Sequence, residues 1–313
     1  MKVSIVILTY NRPQCLERQL ARLRPLHQQL GDSDLELLVV DNASTSYQLQ
    51  PYIDAYPEVR FIRNSQNVGA VGRNSGMAAA TGDLVITLDD DVFGISPADI
   101  ARLRQLFSDE PQVAAVCFKV VDAETGELIN WCHRHDKVRY QDQRFLTYEI
   151  SEGAVALRRQ PLTEVGLYPD DYFISHEGID LALRLIERGY QVLYLPDVVV
   201  SHEHAVEGRP SWRRYYYDSR NLLWLTARYY GVELFCKRCF LQLLALAVYA
   251  LRDGHLMAYL RGLGAGLRGM PQRWRGRQGL SRQTLQYMRA ADRHSPPLWQ
   301  KVRERLFRKS VRI

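Results

Sequence analysis

The stretch that decides the fold is Leu84-Val85-Ile86-Thr87-Leu88-Asp89-Asp90-Asp91. Its apolar and β-branched part predicts a buried strand, and three carboxylates follow at the carboxyl end. Neighbouring carboxylates repel one another when they are ionised, which raises the free energy of the charged cluster. A divalent cation, which prefers oxygen ligands, stabilises such a cluster most easily. In open α/β sheets, ligands bind outside the carboxyl ends of strands. The stretch therefore predicts a ligand site with Mg²⁺ or Mn²⁺, and the alternative is a solvated acidic loop.

Three further apolar runs precede this stretch and alternate with helical patterns. Each run ends in polar residues, which a parallel sheet would bring to one edge. The runs are residues 3–8, 35–40 and 59–62, followed by the polar segments 9–12, 41–44 and 64–67. We therefore expect an α/β fold: a mostly parallel, Rossmann-like sheet covered by helices on both faces.

Two of these polar ends have a chemistry that suits a nucleotide. Asp41 can accept a hydrogen bond from an imide N–H, the group that uracil and thymine present. The segment 67–74 supplies glycines for close backbone approach and Arg73 for phosphate, without a strict phosphate-loop spacing. A helix start with a surface arginine is the competing interpretation of that segment.

Taken in order and spacing, several motifs resemble the inverting GT-A glycosyltransferases of family two, the group with bacterial rhamnosyltransferases and galactofuranosyltransferases. The likeness covers residues 3–230. The motifs are residues 4–12, 39–44, 67–69 with 73–74, and 88–91, and then Glu152-Gly153-Ala154, 158–159, 165–168, Phe173, 177–181, Arg184, Gly189, 200–202 and 215–221.

The resemblance implies roles for individual residues. Asp89 and Asp91 would form a DxD pair that carries the metal bridging the donor diphosphate, with His202 as a further ligand. If strand geometry continues, these two aspartates point to the same side and Asp90 points away, toward the donor sugar or backbone. Arg220 would clamp phosphate. The full set of expected donor-binding residues is Thr9, Asn11, Arg12, Asp41, Asn67, Arg73, Asp89, Asp90 and Arg220.

The general base is where this chain departs from the family pattern. An inverting transfer needs one base, usually a carboxylate. The family commonly has Glu-Asp-x-Asp here, with its second residue proposed as the base, but this chain has Glu177-Gly178-Ile179-Asp180. We expect Glu177 to be the base and Asp180 to be the second catalytic candidate. Asp180 could instead be only the carboxylate of a helix N-terminus.

Charge divides the chain into two parts. Residues 205–313 carry 22 Lys and Arg against 6 Asp and Glu, whereas the preceding residues carry 19 against 29. We expect a catalytic domain at 1–230 and a helical, Arg-rich region at 231–313. Its apolar stretch 241–251 has 11 residues, too few to span a bilayer. This region would lie in a membrane interface, or pack on the catalytic domain or in a homo-oligomer. Nucleic acid is not expected, since no binding motif accompanies the charge.

Five cysteines and an opening without a signal-peptide pattern favour a reducing, cytoplasmic location. The second location we consider is the inner face of the cytoplasmic membrane, with the protein bound peripherally. Cys236 and Cys239 have the spacing of half a metal site but also that of one helix side. The sequence thus predicts a metal-dependent glycosyltransferase, and more specifically a hexosyltransferase of the rhamnosyltransferase kind. It would move a sugar from a nucleoside-diphosphate donor, either dTDP-rhamnose or a UDP-sugar. The acceptor would be a glycan or a lipid-linked molecule in bacterial polysaccharide synthesis. The alternatives are an inactive sugar-nucleotide-binding scaffold and a nucleotidyltransferase.

Overall fold

The computed structural model describes residues 1–203, 212–297 and 300. In this part of the chain, nine strands form one mixed sheet. The strands are β1 (Val3–Thr9), β2 (Leu35–Asp41), β3 (Val59–Arg63), β4 (Leu84–Asp89), β5 (Val92–Phe93), β6 (Val113–Asp122), β7 (Phe145–Leu146), β8 (Ala154–Arg158) and β9 (Gln191–His202).

The strand order is β3-β2-β1-β4-β8-β6-β9-β5, and β7 pairs with β9. The first four strands of the chain run parallel, with β1 between β2 and β4. Strand β8 is antiparallel to both of its neighbours, β4 and β6. The carboxyl end of β4 therefore lies beside the amino end of β8, which places the acidic cluster next to the segment that precedes β8.

Helices cover the sheet on both sides. They are α1 (Pro13–Leu30), α2 (Gln50–Ala55), α3 (Asn74–Ala79), α4 (Pro97–Asp109), α5 (Lys137–Tyr140), α6 (Arg159–Val165), α7 (Glu177–Glu187), α8 (Trp212–Tyr229), α9 (Val232–Arg252), α10 (Leu256–Arg275) and α11 (Arg282–Asp292), with a 3₁₀ turn at Gly69–Arg73. Side chains alternate across the strands, so Ile5 and Ile7 join one apolar core with Leu16 of α1, and Val6 joins the other with Leu181 of α7. The predicted α/β fold with helices on both faces and a helical C-terminal extension is confirmed.

Helix α10 packs closely on α8 because glycines face the contact. A Cβ atom at Gly262 would lie 2.1 Å from the Tyr216 carbonyl oxygen, and one at Gly269 would lie 2.6 Å from Nε1 of Trp224. Only glycine fits such positions without moving the partner helix. Helix α10 of the predicted region 231–313 thus packs directly on α8, while residues 298–299 and 301–313 lie outside the described part.

Helix α9 corrects one expectation. It has 21 residues, and an 18-residue window of it has a mean hydropathy of 1.7, so it is the one described helix that is long and apolar enough to cross a membrane by length and composition alone. The 11-residue stretch 241–251 underestimates the length of this helix, because apolar residues before Lys237 belong to the same helix. The argument that this segment is too short to span is therefore wrong.

Candidate active site

The acidic cluster lies where β4 ends, and Arg12 lies against it. Nη1 of Arg12 is 3.1 Å from Oδ1 of Asp90 and 2.5 Å from Oδ2 of Asp91. Thr9, at the end of the neighbouring strand β1, donates from Oγ1 to Oδ2 of Asp90 at 2.7 Å. Burial raises the pKa of Asp90 to about 6, and Arg12 opposes that rise. The predicted residues Thr9, Arg12, Asp90 and Asp91 are thus brought together.

His202, the last residue of β9, reaches the cluster from the other side. Its Nε2 lies 3.2 Å from Oδ1 of Asp91, and its Nδ1 lies 2.9 Å from the side-chain amide of Asn130. A carboxylate and an imidazole at this separation are ligands that Mn²⁺ accepts. Over residues 1–203, 212–297 and 300, no group of three or more His, Cys, Asp or Glu residues could by itself hold a metal ion. Any further ligands of a metal ion here would come from a bound donor or from water.

Asp89 has a different partner from Asp91. Nη2 of Arg73 contacts Oδ1 of Asp89 at 2.5 Å, and the Arg73 side chain is 3% exposed. Strand β4 ends at Asp89, and Asp90 and Asp91 fall in a turn. The condition for Asp89 and Asp91 to share a side is therefore not met, and it is Asp90 and Asp91 that share Arg12. Asp91 contacts His202 and Asp89 contacts Arg73, and the metal-binding roles of Asp89, Asp91 and His202 remain predictions.

Asp41 ends strand β2 and is surrounded by polar groups. It is fully buried, and its Oδ1 accepts from the Ser44 backbone N–H at 3.1 Å and from the Tyr47 hydroxyl at 3.3 Å. Its Oδ2 lies 3.4 Å from Nη1 of Arg63 and makes no hydrogen bond within the described chain. An acceptor oxygen of this kind suits an N–H donor brought by a ligand.

Three residues expected to bind the donor make hydrogen bonds within the surrounding loops. Oδ1 of Asn11 accepts from the backbone N–H groups of residues 45 and 46, and Oδ1 of Asn67 accepts from that of Gly69 at 2.9 Å. Arg220 donates to the carbonyls of residues 171 and 172 and lies 4.3 Å from the Trp224 ring centroid. These contacts hold loops in place, and the donor-binding roles of the three residues remain predictions.

The two predicted catalytic carboxylates of α7 differ in surroundings. Asp180 is fully buried between Nε of Arg184, at 2.7 Å, and Nη1 of Arg228, at 3.2 Å. Arg184 lies on α7 itself and Arg228 lies on α8, so the second ion pair ties α7 to α8, which favours the structural alternative. Glu177 is 1% exposed and lies near Tyr168. Burial raises the pKa of Tyr168, and the charges of the nearby carboxylates of Glu152 and Glu177 raise it further. Glu177 and Asp180 are thus both buried, and their catalytic roles remain predictions.

Glu152 is the site residue that the sequence did not assign. It precedes β8, its carbonyl oxygen accepts from Oγ1 of Thr87, and the next residue, Gly153, accepts from the Asp89 backbone N–H at 3.2 Å. Oε1 of Glu152 accepts from the Gly178 backbone N–H at 2.8 Å, at the start of α7. Burial raises the pKa of Glu152, and nearby Asp89 contributes to that rise. The antiparallel pairing of β8 with β4 brings it here, and no local sequence signal predicts that pairing.

Comparisons with known proteins agree with this geometry. The family model described as glycosyl transferase family 2 matches residues 4–166, just over half of the chain. A pre-mycofactocin glycosyltransferase of Mycobacterium tuberculosis is 28% identical over 66% of this chain and 44% of its own length, so the chain spans under half of that relative. The O-antigen chain rhamnosyltransferase RfbN of Salmonella typhimurium is 25% identical over 69% of this chain and 71% of its own length. The N-acetylglucosaminyl-diphospho-decaprenol L-rhamnosyltransferase of M. tuberculosis is 26% identical over 65% and 76%.

Solved structures show the same fold. S. aureus TarS 1-349 in complex with UDP-GlcNAc has a TM-score of 0.60 at 17% identity, covering 93% of this chain and 88% of that one. A mannosyltransferase from Pyrobaculum calidifontis, in complex with GDP-Man and Mn²⁺, has a TM-score of 0.57 at 20% identity, covering 96% and 88%. With the family model matched across the strands that build the site, this chain belongs to glycosyl transferase family 2.

Proposed function

We propose that this glycosyltransferase moves one sugar, with inversion, from a nucleoside-diphosphate donor to a glycan or lipid-linked acceptor in bacterial polysaccharide synthesis. The carrying observation is the group of Asp90, Asp91 and Arg12 beside His202, at the edge where β1, β2 and β4 end. In-line attack by an acceptor hydroxyl on the anomeric carbon breaks the bond to the donor diphosphate. The departing diphosphate gains charge, which cationic groups at this edge would stabilise.

The donor we favour is dTDP-rhamnose, with UDP-sugars as the alternative. Two relatives with rhamnosyltransferase names support the sugar, and they do so by similarity alone. Asp41 supports the nucleoside, because Oδ2 can accept the imide N–H of thymine or uracil. Arg73 and Thr9 complete the proposed donor contacts near the ribose and diphosphate.

We propose Asp91 and His202 as the protein ligands of Mg²⁺ or Mn²⁺, with Asp89 contributing if it leaves Arg73. The metal would neutralise charge on the diphosphate. Arg12 already places one positive charge against Asp90 and Asp91, and the metal would add to this compensation when the donor diphosphate is bound.

The C-terminal helices offer a surface for a membrane. On α9, Phe240, Leu244, Val248 and Leu251 share one stripe and are between 46% and 67% exposed. On α10, exposed apolar residues share their stripe with Arg261 and Arg268. An apolar stripe with arginines fits an anionic phospholipid surface, where each basic residue contributes about 1 kcal/mol. We therefore propose that residues 1–230 catalyse and that the region 231–313 attaches the enzyme to the inner face of the cytoplasmic membrane.

Vesicle sedimentation tests the attachment. Wild-type protein should sediment with phosphatidylglycerol vesicles, and Leu244→Glu with Leu251→Glu should abolish this. Val138→Glu is the matched control, because Val138 is 78% exposed and lies on α5, outside the helical extension. Equal sedimentation of all three proteins would contradict the proposal.

A thermal-shift panel followed by a transfer assay tests the function. UDP, dTDP, GDP and CDP are each added with and without Mn²⁺, since a ligand of the folded state must raise the melting temperature. The transfer assay measures release of nucleoside diphosphate from dTDP-rhamnose or UDP-GlcNAc with a short prenyl-diphosphate-linked N-acetylglucosamine as acceptor probe. A Mn²⁺-dependent shift with dTDP or UDP, together with release, is expected. Shifts without any transfer would favour a sugar-nucleotide-binding scaffold.

A further inference from the structure

Gly178 leaves room at the start of α7 that another residue fills. A Cβ atom at this position would lie 2.3 Å from Oε1 of Glu152 and 2.4 Å from the carbonyl oxygen of Ile150. Neither a serine nor an aspartate fits there without moving the backbone of residue 150. The volume beside the helix N-terminus is thus taken by the Glu152 carboxylate, which comes from a segment 26 residues earlier in the chain.

The position of Glu152 is fixed from two sides. Its backbone carbonyl accepts from Oγ1 of Thr87 in β4, two residues before Asp89. Its side chain accepts from the Gly178 N–H at 2.8 Å, at the positive end of the α7 dipole. The carboxylate is therefore held between the strand that ends in the acidic cluster and the helix that follows the 171–176 loop. A general base must be held in this way to meet a bound acceptor hydroxyl.

The other carboxylates nearby are less suited to the task. Asp180 is fully buried and ion-paired with two arginines, and Glu177 is 1% exposed. Asp89 is ion-paired with Arg73 at 2.5 Å. The Glu152 residue is partly exposed although its carboxylate is buried, and that carboxylate accepts a hydrogen bond from a backbone N–H. This hydrogen bond and the nearby charge of Arg73 both favour the ionised carboxylate, which is the form that can accept a proton.

We propose that Glu152, rather than Glu177, is the general base of the transfer reaction; the proposal rests on the function proposed above. As the acceptor oxygen forms its bond to the anomeric carbon, its proton passes to the Glu152 carboxylate. The bond from the anomeric carbon to the diphosphate oxygen breaks, and its electron pair leaves with the nucleoside diphosphate. Gly178 serves this arrangement by its lack of a side chain and by its N–H.

The test compares Glu152→Gln with Glu177→Gln in the full chain. The glutamine at 152 can still accept the Gly178 N–H, so the fold and the nucleotide-dependent thermal shift should persist. With dTDP-rhamnose or UDP-GlcNAc, whichever the wild type uses, kcat should fall by about 10²–10⁴-fold, while KM for the donor changes by less than about threefold. Glu177→Gln should keep kcat within about fivefold of wild type.

Azide separates a base from a positioning residue. It attacks without having to lose a proton, so Glu152→Ala with sodium azide should release nucleoside diphosphate again and form the glycosyl azide of inverted configuration. Transfer by Glu152→Gln at the wild-type rate, or a kcat loss confined to Glu177→Gln, would overturn the assignment. A kcat loss in Glu152→Ala that azide does not relieve would do so too. A wild-type enzyme that shifts with nucleotide and transfers nothing would overturn the proposed function itself, and the base assignment with it.

Discussion

Replacing Asp180 by Asn removes the one charge that holds two guanidinium groups between α7 and α8. Oδ1 faces Nε of Arg184 at 2.7 Å, and Oδ2 faces Nη1 of Arg228 at 3.2 Å, with the carboxylate fully buried. Removing one partner of a buried ion pair costs about 3–5 kcal/mol. The Arg228 side chain is 31% exposed and can regain water, so we expect the lower end, about 3 kcal/mol. At roughly 2–4 °C for each kcal/mol, the melting temperature should fall by about 6–12 °C.

Urea unfolding and calorimetry of Asp180→Asn measure this loss, and transfer is assayed well below the lowered melting temperature. A double-mutant cycle with Arg228→Met isolates the pair, since each variant removes the same contact. Asp142→Asn is the control: Asp142 pairs with Lys119 at 2.5 Å but its side chain is 68% exposed, so the change should stay below about 1 kcal/mol. An Asp180→Asn protein of wild-type stability that has lost transfer would refute the structural assignment and return Asp180 to the catalytic residues.

Three further outcomes are expected. In urea titrations, Gly69→Ala should lower the free energy of unfolding by about 1–3 kcal/mol more than Gly126→Ala. Both glycines have positive φ, but only at Gly69 would the added Cβ atom meet a backbone oxygen, at 2.1 Å. Equal losses would contradict this reasoning. Burial lowers the pKa of His133 to about 3, so this residue is neutral in the folded protein and gains a proton on unfolding below about pH 6.5. Stability should therefore fall as the pH drops from 6.5 to 4, by up to about 1.4 kcal/mol per pH unit from this group. His133→Phe should flatten that slope in urea titrations at several pH values, and an unchanged slope would count against the prediction. Asp91→Asn should abolish the Mn²⁺-dependent part of the nucleotide thermal shift, as EDTA should in the wild type, and a persisting metal effect would exclude Asp91 as a ligand.

The strands that build the site could be predicted from the sequence because their signal is local. Continuous apolar runs ending in polar residues indicated β1, β2, β3 and β4, and the structure has all four parallel. Strand β4 extends to Asp89 because that residue still pairs with Leu8 of β1. The same local reasoning placed Thr9, Arg12 and the aspartates at one edge, since the carboxyl ends of parallel strands meet there.

The partners of these residues could not be predicted, because pairing across the sheet is not encoded locally. Alternation along a strand suggested that Asp89 and Asp91 act together, but the chain turns after Asp89 and each takes a different partner. The contact between Glu152 and Gly178 depends on β8 lying antiparallel beside β4, a pairing of segments far apart in the chain. In the sequence alone, Gly178 suggested that the base had been lost. In the fold, the carboxylate of Glu152 occupies the volume that a side chain at position 178 would fill.

The glycines of α10 have a consequence for how natural sequences can vary. They let α10 lie against α8, where the side-chain amide of Asn221 donates to the carbonyls of residues 172, 174 and 175, just before α7 begins. A bulkier residue at Gly262 would push on Tyr216, which lies on α8 just over one helical turn before Asn221. Homologues are therefore expected to keep small residues at these positions although they lie beyond the matched region 4–166, and a variant there should show itself first as slower sugar transfer.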